Sequence, residues 1–313
     1  MKDLLLSIVI PLFNEEENIG PLYEELLQIL PKLNVFSTYE IVFVNDGSKD
    51  TSLDIVKKLA HQNTHVKVLS FTRNFGHESA TYAGIINATG DAVVLMDADR
   101  QDPPTLIFEF EKAYQEGIDI AYGQRTKRLQ ESWVKKCTSK MFYPLFKFIT
   151  NIDMPRDVGD FCLLSRKAVD MIKQLPERAL FVRGLIYWLG LPKRAIPFVR
   201  RERGAGTTKY NYRKLTIFAL ENIISFSTVP IYWLLFFSLG IITLCGGGIV
   251  VALIMRLCGY VVMSGWTSLM MCMLFLSATI LFALSIIGLY IGKIFQEIKE
   301  RPIFLVDEKI NFN

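Results

Sequence analysis

Val94 to Pro104 reads VLMDADRQDPP: an apolar run that ends in two aspartates one residue apart, then an arginine, a glutamine, a third acid and two prolines. The run DAVVLMD over 91–97 predicts a buried strand. Side chains alternate along an extended segment, so Asp97 and Asp99 point the same way. Two carboxylates held together repel unless a cation sits between them. Hard oxygen ligands suit Mg²⁺ or Mn²⁺. Mg²⁺ takes one or two carboxylates and completes its shell with substrate phosphate oxygens. The pair therefore predicts a metal-bound diphosphate, with Gln101 as a further oxygen donor. The alternative is a solvated acidic loop, and the place of the pair at the tip of a buried strand weighs against it.

The neighbouring chain supports such a strand. LLLSIVIPLF (4–13), EIVFVND (40–46), VKVLSF (66–71) and IDIAYG (118–123) are further apolar runs. Between them, Glu15 to Leu33 has apolar residues at helical spacing, and Asp50 is placed to cap a helix through Leu59. Pro104 suits a first helical turn and Gly117 a helix exit. Alternating strands and helices predict an α/β domain with a mostly parallel sheet, Rossmann-like, covered on both faces. Ligands of such sheets bind outside the carboxyl ends of the strands. Phe13-Asn14-Glu15, Asn45-Asp46-Gly47-Ser48, Thr72 to Gly76 and Asp97 to Asp99 should thus share one rim. Asp46 there could accept the N–H of a pyrimidine base, although Asp-Gly-Ser is also an ordinary turn.

The whole chain has 313 residues and a formal charge of +4. No segment is dominated by Lys and Arg with interleaved aromatics, which excludes a nucleic-acid binder. The five cysteines show no paired metal spacing and suit a reduced, intracellular setting. Apolar residues concentrate in the last third. Val229 to Met255 and Thr267 to Gly292 carry no charge. A membrane-crossing helix needs ~20 apolar residues, so both qualify. Basic residues before the first span (Arg200, Arg201, Arg203, Lys209, Arg213, Lys214) and after the second (Lys293, Lys299, Arg301) place both flanks in the cytoplasm. The expected organisation is a cytoplasmic domain over 1–211, an interfacial amphipathic helix over 212–228, a two-helix transmembrane hairpin over 229–294 and a cytoplasmic tail over 295–313. The apolar N-terminus is not a signal peptide, because Asn14-Glu15-Glu16-Glu17 follows it with no small-residue cleavage site.

SIVIPLFNEEENI, VNDGSKDTS, TRNFGHESA, DADRQDPP and VGDFCLLSR occur here in one order. This resembles glycosyltransferase family 2, with its GT-A fold. SWVKKCTSKMFY, LPERALFVRGLIYWLG, RERGAGTTKYNYRKL and YIGKIFQEIKERPIFLV extend the likeness to polyprenyl-phosphate glycosyltransferases, the bactoprenol glucosyltransferases and dolichol-phosphate mannose synthases. The resemblance implies nucleotide binding by Pro11, Phe13, Asn14, Glu15, Asp46, Arg73 and Asp97. It implies metal ligation by Asp99, Gln101 and Asp97, with Mg²⁺ or Mn²⁺ as cofactor. Asp160 matches an acid beside the sugar, and Arg203 a basic residue near the diphosphate, so Asp97, Asp99, Asp160 and Arg203 form the implied catalytic set. Arg125, Lys135 and Ser139 match positions that hold the acceptor phosphate. Three residues depart from the pattern: His77 replaces a common lysine, Arg100 a common leucine, and Cys162 an arginine frequent in the bactoprenol branch. His77 is expected to hydrogen-bond within its loop rather than ligate metal.

The implied reaction is inverting transfer of a sugar, glucose from UDP-glucose first and N-acetylglucosamine, galactose or mannose as alternatives, to undecaprenyl phosphate. The implied setting is the bacterial plasma membrane, multi-pass, with both termini cytoplasmic and a homo-oligomer, a tetramer, as the assembly. A processive polysaccharide synthase would need more spans and a Gln-x-x-Arg-Trp motif. A non-catalytic nucleotide-sugar sensor would not need the retained Asp97, Asp99, Gln101, Asp160 and Arg203.

Overall fold

The structure, a computed structural model, describes residues 3–126, 155, 158–175, 181–201, 227, 229–258 and 265–312. The chain divides into two compact units, Met1–Lys209 with Arg301–Asn313, and Tyr210–Glu300.

The first unit is an α/β sheet of eight strands. In chain order it runs β1 (Leu4–Leu12), α1 (Glu16–Ile29), β2 (Phe36–Asn45), α2 (Ser52–Gln62), β3 (Val66–Phe71), α3 (His77–Asn87), β4 (Ala92–Leu95), α4 (Ile107–Gln115), β5 (Ile120–Arg125), β6 (Val158–Ser165), α5 (Arg166–Gln174), α6 (Val182–Trp188), β7 (Lys193–Phe198) and β8 (Val306–Ile310). The spatial order is β7-β5-β6-β4-β1-β2-β3-β8. The β1/β2, β1/β4, β2/β3 and β5/β7 pairs are parallel, and β3/β8, β4/β6 and β5/β6 are antiparallel. The mostly parallel sheet expected from the alternation of strands and helices is therefore present.

Alternation along β1 sends Leu6, Ile8 and Ile10 into a core shared with Ile41 and Phe43 of β2 and with Ile19, Leu22 and Leu26 of α1. Each such fully buried side chain contributes about 1.5–3 kcal/mol. On the opposite face α3 lies close against β1: a β-carbon at Gly84 would overlap the Val9 side chain. Buried Glu40 accepts from Ser7 Oγ at 2.6 Å and Thr89 N–H at 2.7 Å and pairs with Lys67 at 2.6 Å, locking the amino-terminal edge of the sheet.

Several boundaries differ from expectation. The helix expected to reach Leu33 ends at Ile29, where Pro31 enters a single 3₁₀ turn, Leu30–Lys32. Thr51, not Asp50, holds the N-cap position of α2, while Asp50 Oδ1 accepts the Ser52 N–H at 3.1 Å. A 3₁₀ turn over Pro104–Leu106 precedes α4, and Gly117 follows it at φ +80°. The residues expected as a C-terminal tail supply the edge strand β8.

The second unit contains two long helices, α7 (Val229–Leu257) and α8 (Trp266–Ile298). Among the described residues one stretch is long and apolar enough to cross a membrane, Phe275–Phe295 in α8. The segment expected to form an interfacial helix lies outside the described residues, apart from Ser227.

Candidate active site

Strand directions bring the polar loops together. β1, β2, β3 and β4 are mutually parallel, so their carboxyl ends share one edge. β6 runs antiparallel to β4 with Leu95 opposite Cys162. Continuing that register two residues sets Asp160 beside Asp97. β5 is antiparallel to β6 and parallel to β7, which returns Arg125 and the chain after Phe198 to the same edge.

On the β1–β3 side the loops are stitched to one another. The Asn14 N–H donates to Ser48 Oγ at 3.0 Å, and Asn14 Oδ1 accepts the Lys49 N–H at 2.8 Å. The Glu15 N–H donates to Ser52 Oγ at 2.9 Å, and Pro11 is buried on β1 with Phe13 half-buried just past the strand. Asp46 is 3% exposed, and its carboxylate accepts the N–H groups of Phe75 at 2.6 Å and Gly76 at 2.9 Å. It thus holds the β3–α3 loop, and a base would have to use its remaining lone pairs. Burial raises its proton affinity against the pull of those N–H groups. Gly47 has φ +66°, and a β-carbon there would lie 2.5 Å from the Arg73 carbonyl carbon. Both the conformation and the close approach require glycine. The Arg73 guanidinium sits 4.1 Å from the Phe75 ring centroid and donates to the Asn74 carbonyl.

The acids form the second group. Asp160 Oδ1 accepts from Arg183 Nε at 2.9 Å and from a terminal nitrogen of Arg183 at 2.8 Å. His77 Nε2 lies 3.2 Å from Asp160 Oδ2 and 3.8 Å from Asp97 Oδ1. Burial disfavours the Asp160 carboxylate, but Arg183 and His77 outweigh it and hold the group far below the usual range. Partial desolvation likewise opposes the His77 imidazolium, yet the hydrogen bond to Asp160 and the charge of Asp97 raise its pKa to about 9. Expected to hydrogen-bond within its own loop, the His77 side chain bonds instead to Asp160 on β6, 83 residues away in sequence. Asp97 behaves in the opposite sense. Burial and the charges of Asp160 and Asp99 push its carboxyl up, against His77.

Asp99 Oδ1 accepts the Gln101 N–H at 3.1 Å, and its Oδ2 lies 3.9 Å from a terminal nitrogen of Arg200. Three residues on, Asp102 is 1% exposed, and neither carboxylate oxygen has a hydrogen-bond partner among the described residues. Burial and the charge of Asp97 raise Asp102 to about 7. Arg125 lies against Gly159, where a β-carbon would come 2.6 Å from a guanidinium nitrogen.

His77, Asp97 and Asp160 each offer a ligand atom within 4.8 Å of the others. Asp160 is already occupied by two cations. Asp97 also feels the charge of Asp99, whose own carboxylate faces Arg200, and the hard oxygens of these two acids are of the kind that could hold Mg²⁺ or Mn²⁺. Cys162 is buried on β6 two residues beyond Asp160, and burial pushes its thiol pKa up. Lys135, Ser139 and Arg203 lie outside the described residues. Sequence reasoning gives no site role to Arg183, Arg200 or Asp102. The one signal for Arg183 is a lone cation inside the apolar run FVRGLIYW.

The profile of glycosyl transferase family 2 matches residues 7–172. An uncharacterized glycosyltransferase of Synechocystis sp. is 44% identical over 305 residues, covering 97% of this chain and 95% of its own. A bactoprenol glucosyl transferase of Shigella phage SfX is 39% identical over 307 residues, covering 97% of this chain and 99% of its own. Among solved structures, glucosyl-3-phosphoglycerate synthase from Mycobacterium tuberculosis with Mn²⁺, UDP and glucosyl-3-phosphoglycerate aligns with a TM-score of 0.46 at 17% identity, over 71% of this chain and 78% of that one. The chain belongs to glycosyltransferase family 2 and is a glycosyltransferase.

Proposed function

We propose that the protein transfers a sugar from a nucleotide diphosphate to undecaprenyl phosphate, with UDP-glucose as the first donor to test. The observation that carries this reading is the meeting of Asp97, Asp99, Asp160 and Arg125 on one sheet edge, in a chain similar along nearly its whole length to a bactoprenol glucosyl transferase.

Asp97 and Asp99, with Gln101 beside them, would hold Mg²⁺ or Mn²⁺. Such a cation stabilises negative charge on a departing diphosphate. Pro11, Phe13, Asn14, Glu15, Asp46 and Arg73 are assigned to the nucleotide, and Arg203 to the diphosphate. The nucleophile is an oxygen of the acceptor phosphate. A phosphate monoester has a second pKa of ~6, so it is anionic at neutral pH and no strong base is needed. The pairing of Asp160 with Arg183 and His77 fits that economy. A carboxylate so strongly held ionised is a poor proton acceptor and a good fixed charge. It would face the anomeric carbon as oxocarbenium character develops and orient a sugar hydroxyl. Arg125, with Lys135 and Ser139, would neutralise and orient the acceptor phosphate. Direct displacement inverts the anomeric centre.

A polyprenyl tail stays in the bilayer, which gives the apolar unit its purpose. The 21 residues Phe275–Phe295 suffice for one crossing. After α8 the chain re-enters the first unit, because β8 pairs with β3. A chain that leaves and rejoins one folded unit crosses the membrane an even number of times. We therefore assign the second crossing to α7 and both ends of the hairpin to the cytoplasmic side of the bacterial plasma membrane.

The test is transfer of radiolabelled sugar from a panel of nucleotide sugars into an organic-extractable lipid, with undecaprenyl phosphate present and with or without EDTA. Label in the lipid phase, lost on chelation, is expected. Nucleotide-sugar binding with no label in lipid from any donor would identify a sensor and sink the proposal.

A further inference from the structure

Arg100 stands where leucine is common in polyprenyl-phosphate glycosyltransferases, and it lies between Asp99 and Gln101. Its backbone has φ +60°, a left-handed conformation uncommon for a residue with a β-carbon. The loop is held from outside. Glu25, on α1, accepts a hydrogen bond from a terminal nitrogen of Arg100 at 2.7 Å through Oε1. Through Oε2 the same carboxylate accepts one from Arg201 at 2.8 Å. Arg201 begins the segment that reaches Arg203 two residues later in sequence. The two loops are also joined directly. The Arg201 N–H donates to the Gln101 carbonyl at 3.0 Å, and Gln101 Nε2 donates to the Arg201 carbonyl at 3.4 Å.

We propose that Glu25 is a positioning residue for the metal-binding loop, clamping Asp99-Arg100-Gln101 to the Arg200–Arg201 segment through two guanidinium groups. The inference rests on the reading of Asp97, Asp99 and Gln101 as the cation site. One carboxylate sets the spacing between the loop that would hold the cation and the segment whose Arg200 already faces Asp99 at 3.9 Å. Without it, the two guanidinium groups would repel, with only the direct Gln101–Arg201 hydrogen bonds to oppose them. Glu25 itself touches neither cation nor substrate.

The test uses the full-length protein in detergent and reads Mn²⁺ affinity by electron paramagnetic resonance in the presence of UDP, independently of turnover. Glu25→Gln keeps the side-chain volume and removes the charge. It should weaken Mn²⁺ binding about three- to tenfold at low salt, the range expected for two partly exposed ion pairs. Added salt should narrow the difference. In an Arg100→Leu background the same substitution should cost less than it does alone, because one arm of the clamp is already gone. If Glu25→Gln does not fold, Arg201→Gln reads the clamp from its other side. A folded Glu25→Gln protein with unchanged Mn²⁺ affinity overturns the clamp, as does a wild type that binds no Mn²⁺. A wild type that binds Mn²⁺ with UDP but transfers no sugar to lipid sinks the proposed function and leaves the clamp standing.

Discussion

Asp160 commits both carboxylate oxygens to protein cations, one to Arg183 and one to His77. Hydrogen bonds to charged groups are worth about 1.5–3 kcal/mol each. Arg183→Met should therefore lower stability by about 1–3 kcal/mol in a thermal melt, and an unchanged melting temperature would show the pair to be incidental. His77 gives a pH signature. Its protonated form contributes stability that is fully present below an unfolded pKa of about 6.5 and is lost as pH rises through the folded value of about 9. The side chain is 44% exposed, so solvent screening reduces the contribution to about 1 kcal/mol. In EDTA, His77→Gln should lie about that far below wild type at pH 6 and meet it near pH 10. A gap that does not change with pH would mean His77 is neutral. Asp99 is the complementary case, since the amide oxygen of an asparagine in its place could still accept the Gln101 N–H. Asp99→Asn should keep the fold within about 0.5 kcal/mol yet cut chelator-sensitive transfer at least about a hundredfold. Full activity in that variant removes Asp99 from the metal set.

Loops, more than strands, carry the site, and they depend on close approach. Gly47 and Gly117 both have positive φ, +66° and +80°, but only Gly47 has backbone in the way of a β-carbon. Gly117→Ala should cost about 1 kcal/mol through conformation alone and leave nucleotide binding intact. Gly47→Ala should cost about 2 kcal/mol or more and weaken nucleotide binding, because the Arg73–Phe75 loop has to move. Urea melts with a fluorescent nucleotide titration separate the two variants, and equal behaviour would deny the close approach any role. The same contrast between strand and loop governs what is legible in the sequence. Buried parallel strands are continuous apolar runs, so β1 to β5 can be read directly. β6 is visible as the motif VGDFCLLS but not as a strand, since Gly159 and Asp160 interrupt its apolar pattern for the sake of the site. β8, VDEKI, is charged as an edge strand should be, and charge hides it from a search for apolar runs. Asp97, Asp99 and Asp160 stand out because their motifs are local. Glu25 does not, because its two partners lie 75 and 176 residues away in sequence and its helix position is that of any solvated acid.

At the scale of the whole molecule, β8 connects the fold to the membrane proposal. It covers the β3 edge, Phe304 stacks on Phe71 at 4.9 Å, and Asn311 donates to the carbonyls of Ala60 and Val66. A chain truncated after Arg301 should lose this edge and aggregate, since β3 would then present unpaired backbone to other copies. The strand also constrains topology without reference to charge bias. Residues before α7 and after α8 belong to one sheet, so under the proposed hairpin either two crossings or none return the chain to its own side. Two single cysteines in a cysteine-free background decide between these outcomes. With a crossing pair, Ser264→Cys in the link should react with a membrane-impermeant maleimide in intact cells, and Asp307→Cys on β8 should react only after permeabilisation. If neither reacts before permeabilisation, both helices lie on the cytoplasmic side and the protein is a surface-bound enzyme. Labelling of both in intact cells would place the sheet, and with it Asp97 and Asp99, on the side of the membrane away from cytoplasmic nucleotide sugars, and the proposed reaction would lose its donor.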